Sequence, residues 1–582
     1  MAHDPAPSGN TSLLDRLFMH FRSLHASDSF LLKTVLIVLF AFVAWLFISE
    51  STKHQVAVPA YGGSLTEGVV GTPRFINPVL AVTRADKDMT ALVYDGIMKL
   101  GPSGELVPDL ARSMTLSNDG LTYAVTLRDN VTFHDNTPLT AEDVFFTISK
   151  IQDPGLNSPL RASFENVRVE LLSPYELNFI LPEPYAPFAE SLTFGVLPKH
   201  IWKDASNEEF PFSQYNSEPV GTGPYRVAEI KRDTSGIPEA YQLTAFTDYH
   251  RTIPNIETLT LRFYTNESQL LEAFSAGEID SFAGVDQSLI DELLAGDNAH
   301  HVEEIPLPRT FALFFNQNKS VALRDLSVRR ALDAAIDRAA LVEAVLGGYG
   351  APLTTPLPPG FGLEQESTSA TTEDGTPLDR AHVILEDGGW KLNVDSGLWE
   401  KEIDKDIVVL SFSIATANTP VFTETAHFLQ TEWEKLGVPV TIKQFEQSDL
   451  TQAVIRPREY EALLFGTDLG RTLDFYAFWH SSERNDPGLN VALYANITTD
   501  AALEKLRTET DEAVHKEALV TFIDEVDAEV PALFLYSPKL LYVFPTKVAN
   551  GAFAGVAEPS ERFASVAAWS INTDSVWPFF KE

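Results

Sequence analysis

The chain has no cysteine among its 582 residues. That absence removes disulfide bridges, thiolate metal sites, iron–sulfur clusters, a cysteine nucleophile and a lipid anchor on an N-terminal cysteine together. Basic residues are scarce: 43 Lys and Arg stand against 81 Asp and Glu, a formal net charge of −38. A protein that neutralises phosphates needs a basic face, so nucleic acid is excluded as a partner and anionic lipid is repelled. The chain also lacks an HExxH zinc motif and a GxSxG nucleophile elbow. The "GTG" of residues 221–223 is followed at once by Pro224, with no Lys-Ser/Thr or third glycine to complete a phosphate cradle, so it reads as a tight turn. No cofactor and no catalytic residue is expected.

Long apolar runs are missing too, with one exception. Residues 30–48, "FLLKTVLIVLFAFVAWLFI", have nearly the length of a bilayer-spanning helix, with Lys33 near the start and Trp45 toward the far end. The following "ISESTKHQ" offers no convincing cleavage site, which favours an uncleaved anchor over a signal peptide. Arg16, Arg22 and Lys33 precede the span while only Lys53 follows closely, so the N-terminus is expected in the cytoplasm. The expected layout is a cytoplasmic tail over 1–29, an anchor over 30–49 and a stalk over 50–58. The rest of the chain then lies on the extracytoplasmic side, periplasmic or at the cell surface. With 44% hydrophobic residues and this length, that remainder exceeds what one core can hold.

The stretch "VTFHDNTPLTAEDVFFTI" (131–148) sets His134 and Asp135 side by side before a cluster of acids. Capping explains the acids: Thr140 reads as an N-cap, Asp143 reaches back as in a capping box, and Val144, Ile148 and Ile151 form one buried stripe. His134 and Asp135 then read as turn residues. Upstream, "LTYAVTLRDNVTF" alternates as a half-buried strand pair turning at Asp129-Asn130. In "VRRALDAAIDRAALVEAVL" the aliphatic residues recur at helical spacing, and Asp337 caps a second helix after a bend. The Pro-rich run over 352–359 and the polar stretch after it read as surface loop. His300-His301 with Glu303-Glu304 is the one local metal-like cluster, but neighbouring strand residues point to opposite faces.

From residue 61 the sequence resembles the family 5 solute-binding proteins of ABC transporters, which include peptide and nickel receptors. The resemblance rests on "GGSLTEGVVGTPRFINPVLA" (62–81), on the block running from "VYDGIMKL" to "AEDVFFTI" (93–148) and on "PVGTGPYRV" (219–227). It continues through "AFSAGEIDSF" (273–282), "LFFNQNKSVALRDLSVRRALDAAIDRAALVEAVLGGYG" (313–350) and "APLTTPLPPG" (351–360), in the family's order. It implies an α/β, two-lobed fold of the periplasmic-binding-protein type (type II, large peptide-binding class), here with an N-terminal transmembrane helix. Lobe I is expected over 59–311 and 537–582, and lobe II over 312–536.

The resemblance also implies a function: a membrane-anchored, monomeric receptor that closes on a peptide or other small solute in an interlobe cleft and delivers it to ABC permease subunits. Its ligand contacts are expected at Phe75, Asn77, Thr83 and Arg84 in the first lobe, with Asn316 and Asn418 in the second. Asp468 in "LLFGTDLGRTLDFY" is the expected partner of a peptide's amino terminus, with Asp474 as the alternative. The loop "IATANTPVF" lacks the arginine that dipeptide receptors offer to a ligand carboxylate, which favours oligopeptides over strict dipeptides. The alternatives are a metal or metal-chelate receptor on the same fold and, further off, an extracytoplasmic peptidase.

Overall fold

The computed structural model describes residues 26–53, 56–286, 289–290, 293–295, 298–360 and 375–576. Two compact units are present. The smaller holds the 28-residue helix Ala26–Lys53 and a strand, Val56–Ala60, paired antiparallel with Asn572–Val576. Among the described residues no helix is long and apolar enough to cross a membrane. The larger unit, Tyr61–Ile571, carries the mixed α/β fold.

A 12-stranded sheet forms its spine. The strand Ala532–Pro545, "ALFLYSPKLLYVFP", is buried along its length except at Pro538 and Lys539. A near-continuous apolar run of this kind belongs to a strand covered on both faces. Its first part pairs antiparallel with Arg309–Phe315 and its second part with His300–Pro306, so one strand joins two regions of sheet. On one side follow Ala462–Asp468, Phe412–Ala417 and Val440–Phe445; on the other, Ser281–Ala283, Ser64–Val70 and Thr258–Tyr264.

The hydrophobic clusters divide in the same way. One gathers residues from Leu65 to Leu307 and from Leu540 to Trp569, around Trp202, Phe164 and Trp569. Two others lie within Ala312–Tyr536, around Trp390, Trp399 and Trp433 and around Trp479 and Phe522. Charge is buried as well. Arg562 is fully enclosed and donates to Glu67 at 3.0 Å and to Asp88 at 2.7 Å, while the Tyr542 hydroxyl donates to Glu67 at 2.9 Å. Every charge in this group has its partner.

The local expectations meet the structure unevenly. The helix Ala141–Gln152 starts at Thr140, whose N–H donates to the Asp143 carboxylate at 2.9 Å, and Val144, Ile148 and Ile151 are buried. The helices Leu326–Ala334 and Arg338–Leu346 follow one another, with Asp337 accepting the Ala340 N–H at 3.0 Å. The expected strand pair is different. Thr122–Leu127 is a strand, but it pairs with Ala111–Leu116 and Glu176–Ile180, and residue 132 makes only an isolated bridge to Pro138. Most of the polar loop after the Pro-rich run, residues 361–374, lies outside the described residues.

His134 explains why the chain leaves the strand direction there. Its Nε2–H donates to the Gly223 carbonyl at 3.0 Å, and its Nδ1 accepts the Gly221 N–H at 3.3 Å. Burial, the largest influence, holds its pKa down to about 4 and keeps the imidazole neutral. The glycines of the turn press on Val93: a Cβ at Gly221 would sit 2.0 Å from the Val93 carbonyl oxygen, and one at Gly223 2.5 Å from its carbon. The "GTG" is thus a backbone-to-backbone contact clasped by a histidine, and Asp135 serves the same turn by accepting the Thr137 N–H at 3.0 Å.

Candidate functional site

Two cavities of the larger unit share Glu190, Arg471 and Thr472 in their walls. The first, about 470 Å³, is lined by Ala186 to Glu190, by the segment Arg471 to Tyr476 and by Leu503, Arg507 and His515, among others. The second, about 520 Å³, is lined by Pro78, Lys87, Tyr94, Asp95, Lys99, Asp109, Phe164, Phe194 and Glu561, among others. Mostly apolar walls with a few convergent polar groups are the usual character of a ligand site.

The segment between them follows the strand Ala462–Asp468, whose apolar start "ALL" is buried. Asp468 is half exposed at the strand end, where Arg309 on the neighbouring strand donates to it at 2.8 Å and the Gly470 N–H at 3.0 Å. It lines neither cavity. Asp474 does line the first. Arg507 holds it from two directions, with Nε 3.0 Å and a terminal nitrogen 2.5 Å from Oδ2, and lies over the Tyr476 ring at 3.8 Å. Burial and the Asp474 charge push the neighbouring Tyr185 hydroxyl up to about 12.

Arg471 was not among the residues expected at the site, yet it stands where the two cavities meet. Its guanidinium donates to the Glu561 carboxylate (Nε to Oε1, 3.0 Å) and to the Gly555 carbonyl at 3.1 Å, with Glu190 at 3.8 Å. One sequence signal for it existed: a lone cation in "DLGRTLDFY", within an acidic chain.

The other expected contacts are spread through the fold. Phe75 is half buried against the first cluster, under the guanidinium of Arg74 at 4.8 Å. Asn77 is fully buried; its oxygen accepts the Val79 N–H at 2.9 Å and its amide donates to Asn216 at 3.0 Å. Thr83 caps the helix Arg84–Val93 in a capping box with Asp86, and Arg84 lies 3.8 Å from Asp88. Asn316, 1% exposed, donates to the Arg458 carbonyl at 3.0 Å, and Asn418 donates to Glu446 at 3.2 Å. None of these six lines either cavity; from the 70–88 segment it is Pro78, Ala81 and Lys87 that do.

Asp95, Asp109 and His250 are the one grouping among the described residues with metal-type atoms all within 4.8 Å of one another. His250 lies between the acids, Nε2 3.3 Å from Asp109 and Nδ1 3.8 Å from Asp95. Arg251 at 2.8 Å and Lys99 at 3.9 Å already neutralise Asp109, which leaves a metal ion little to gain there. Burial, then the Asp109 charge, pushes Asp95 up to about 7. Burial raises Asp109 too, but His250, Lys99 and Arg251 outweigh it and bring its pKa below the ordinary value. In the other histidine cluster His301 meets Glu303 at 2.9 Å, while His300 turns its ring edge to Phe274.

Cavities walled by distant parts of one mixed α/β unit are a feature that small-solute binding proteins share. The family model described as bacterial extracellular solute-binding proteins, family 5 (middle), matches residues 105–487, and the chain belongs to that family of ABC-transporter solute-binding proteins. It is similar to the oligopeptide-binding protein AppA of Bacillus subtilis (strain 168), 26% identical over 84% of this chain and 89% of that one. Among solved structures it resembles NikZ of Campylobacter jejuni in complex with Ni(L-His), at a TM-score of 0.64 and 26% identity over 87% and 99% of the two chains. It also resembles the substrate-binding protein CtaP of Listeria monocytogenes, at 0.71 and 25% over 88% and 99%.

Proposed function

We propose that the protein is the receptor of an ABC importer and captures peptides, oligopeptides rather than strict dipeptides, between two lobes over 59–311 with 537–582 and over 312–536. The observation that carries this is the pair of adjoining cavities, whose walls bring Ala186 to Ser191 together with Arg471 to Tyr476 and Arg507. Two neighbouring cavities suit an extended ligand held mainly by its backbone, with side chains in tolerant cavities. The division of the hydrophobic clusters near residues 307–312 and 536–540 supports the lobe boundaries. Closure on the ligand then turns occupancy into a shape the permease subunits recognise.

A peptide ammonium enclosed between lobes loses water and needs a carboxylate. Asp468 is the reader proposed from the sequence, and Asp474, in the wall of a cavity, is the rival. Peptide affinity measured for Asp468→Asn and Asp474→Asn, with free and N-acetylated peptides, decides between them: only in the variant lacking the true reader does acetylation cease to matter. An effect of about 2–5 kcal/mol is expected. Incubation of the full-length protein with a mixed peptide pool, followed by native mass spectrometry, tests the reading as a whole. A receptor returns intact peptides, a peptidase returns fragments, and selective retention of nickel–histidine would support the metal-chelate alternative.

The membrane anchor over 30–49, with the large unit extracytoplasmic and monomeric, belongs to this proposal and is carried by the sequence. Several side chains of the helix Ala26–Lys53 lie outside the described residues; Phe30, Val35, Phe40 and Trp45 are exposed. Retention in the membrane fraction, lost when residues 1–58 are removed, checks it.

A further inference from the structure

Among the described residues two carboxylate oxygens are buried without a hydrogen-bond partner, Asp95 Oδ2 and Glu190 Oε2. Both residues line the 520 Å³ cavity. Asp95 is 7% exposed; its other oxygen accepts the Tyr249 hydroxyl at 3.1 Å, whereas His250 Nδ1 stands 3.8 Å from Oδ2, beyond hydrogen-bond reach. Glu190 Oε2 has Arg471 no nearer than 3.8 Å.

Two of the three cations of the same wall, Lys87 and Arg471, are already committed. Lys87 donates to Glu558 at 2.6 Å and Arg471 is spent on Glu561 and the Gly555 carbonyl, while Lys99 stands 3.9 Å from Asp109, a charge neighbour without a hydrogen bond. The cavity therefore offers two unpartnered acceptors beside donors of which Lys87 and Arg471 are engaged. A buried acceptor left unmade costs free energy that a ligand donor recovers on binding. An ammonium brings three such donors, a guanidinium five in a planar fork. At long range the net charge of −38 draws cations toward the protein.

We propose that this cavity selects solutes carrying a protonated amine or guanidinium, which Asp95 Oδ2 receives as the buried acceptor and Glu190 as the second. The proposal rests on the reading of the protein as a peptide receptor and specifies the peptide: one with a lysine or arginine side chain. It also carries a proton signature. Burial and Asp109 disfavour ionised Asp95, His250 and Lys99 favour it, Tyr249 donates to it, and Arg251 pairs with Asp109 at 2.8 Å. A bound cation favours the ionised form further, so affinity rises with pH through about 7.

The test uses full-length protein, trilysine, the Nε-acetylated trilysine, and cadaverine, by titration calorimetry between pH 6 and 8. The native protein is expected to bind trilysine about 30-fold or more tightly than the acetylated peptide at pH 8. In Asp95→Asn that preference and its pH dependence disappear; in Glu190→Gln the preference shrinks and the pH dependence stays. Thermal unfolding confirms that both variants are folded. Equal binding of the two peptides by the native protein overturns the cationic site while the peptide receptor stands. Binding of cadaverine alone, abolished by Asp95→Asn, supports the site and overturns the peptide reading. No binding of any of the three overturns both.

Discussion

Glu67, Asp88 and Arg562 form one buried charge group in the larger unit, and Asp95, Asp109, His250 and Arg251 form another. The first is sealed: all three side chains are 0% exposed, and the guanidinium reaches both carboxylates within 3.0 Å. The second leaves Asp95 Oδ2 and His250 Nδ1 without partners beside a cavity. The difference lies in geometry more than composition. A planar fork satisfies two carboxylates at once, while an imidazole between two acids at 3.3 and 3.8 Å satisfies at most one of them well. Closed networks hold a fold together; open ones are available to a ligand.

The comparison breaks most visibly at Arg562. Arg562→Met leaves Glu67 and Asp88 buried without their cation and is expected to cost about 3–5 kcal/mol in chemical denaturation. A smaller loss would mean that the carboxylates find water or protons.

His134 supplies a second, pH-dependent contrast. Its folded pKa of about 4 lies below the usual 6.5, so the unfolded chain binds the extra proton first as pH falls. Stability is therefore complete above about pH 6.5 and declines toward pH 4, by roughly 3 kcal/mol from this residue. Denaturation midpoints of the native protein and His134→Gln across that window should converge at the acid end.

Asp95 has the opposite sign and an effect of similar size. Its folded pKa of about 7 lies above the usual 3.8, so the folded state holds the proton longer and stability falls as pH rises between these values. Asp95→Asn should stabilise the ligand-free protein by on the order of 3–4 kcal/mol at pH 8 and hardly at all at pH 4. Smallest of all is the exposed pair Lys319–Glu459 at 2.8 Å, where Lys319→Ala should change the unfolding free energy by less than about 1 kcal/mol.

How far the fold could be read from the chain depended on the reach of each interaction. Thr140, Asp143 and Asp337 act within three residues, and their caps appear where their spacing placed them. The segment carrying Asp468 and Asp474 was recognisable, but the assignment inside it was not. Arg309, which donates to Asp468, is 159 residues away, and Arg507, which engages Asp474, is 33 residues away. Asn77 and Asn316 look like ligand groups in a string of letters; each is a buried side chain that closes a turn. Arg471 and the open oxygen of Asp95 went unnoticed because neither belongs to a local pattern.

The sequence alone determined the elements whose forces are local: caps, helical stripes and the acidity that excludes phosphate partners. Only the tertiary structure decided which carboxylates are satisfied. Glu67 meets Arg562 across 495 residues, while Asp95 is left with a free oxygen beside a histidine 155 positions away. The reason is physical: a hydrogen bond needs its partner within about 3 Å at a definite angle, and along a chain of this length such placement is set by packing and not by order in sequence.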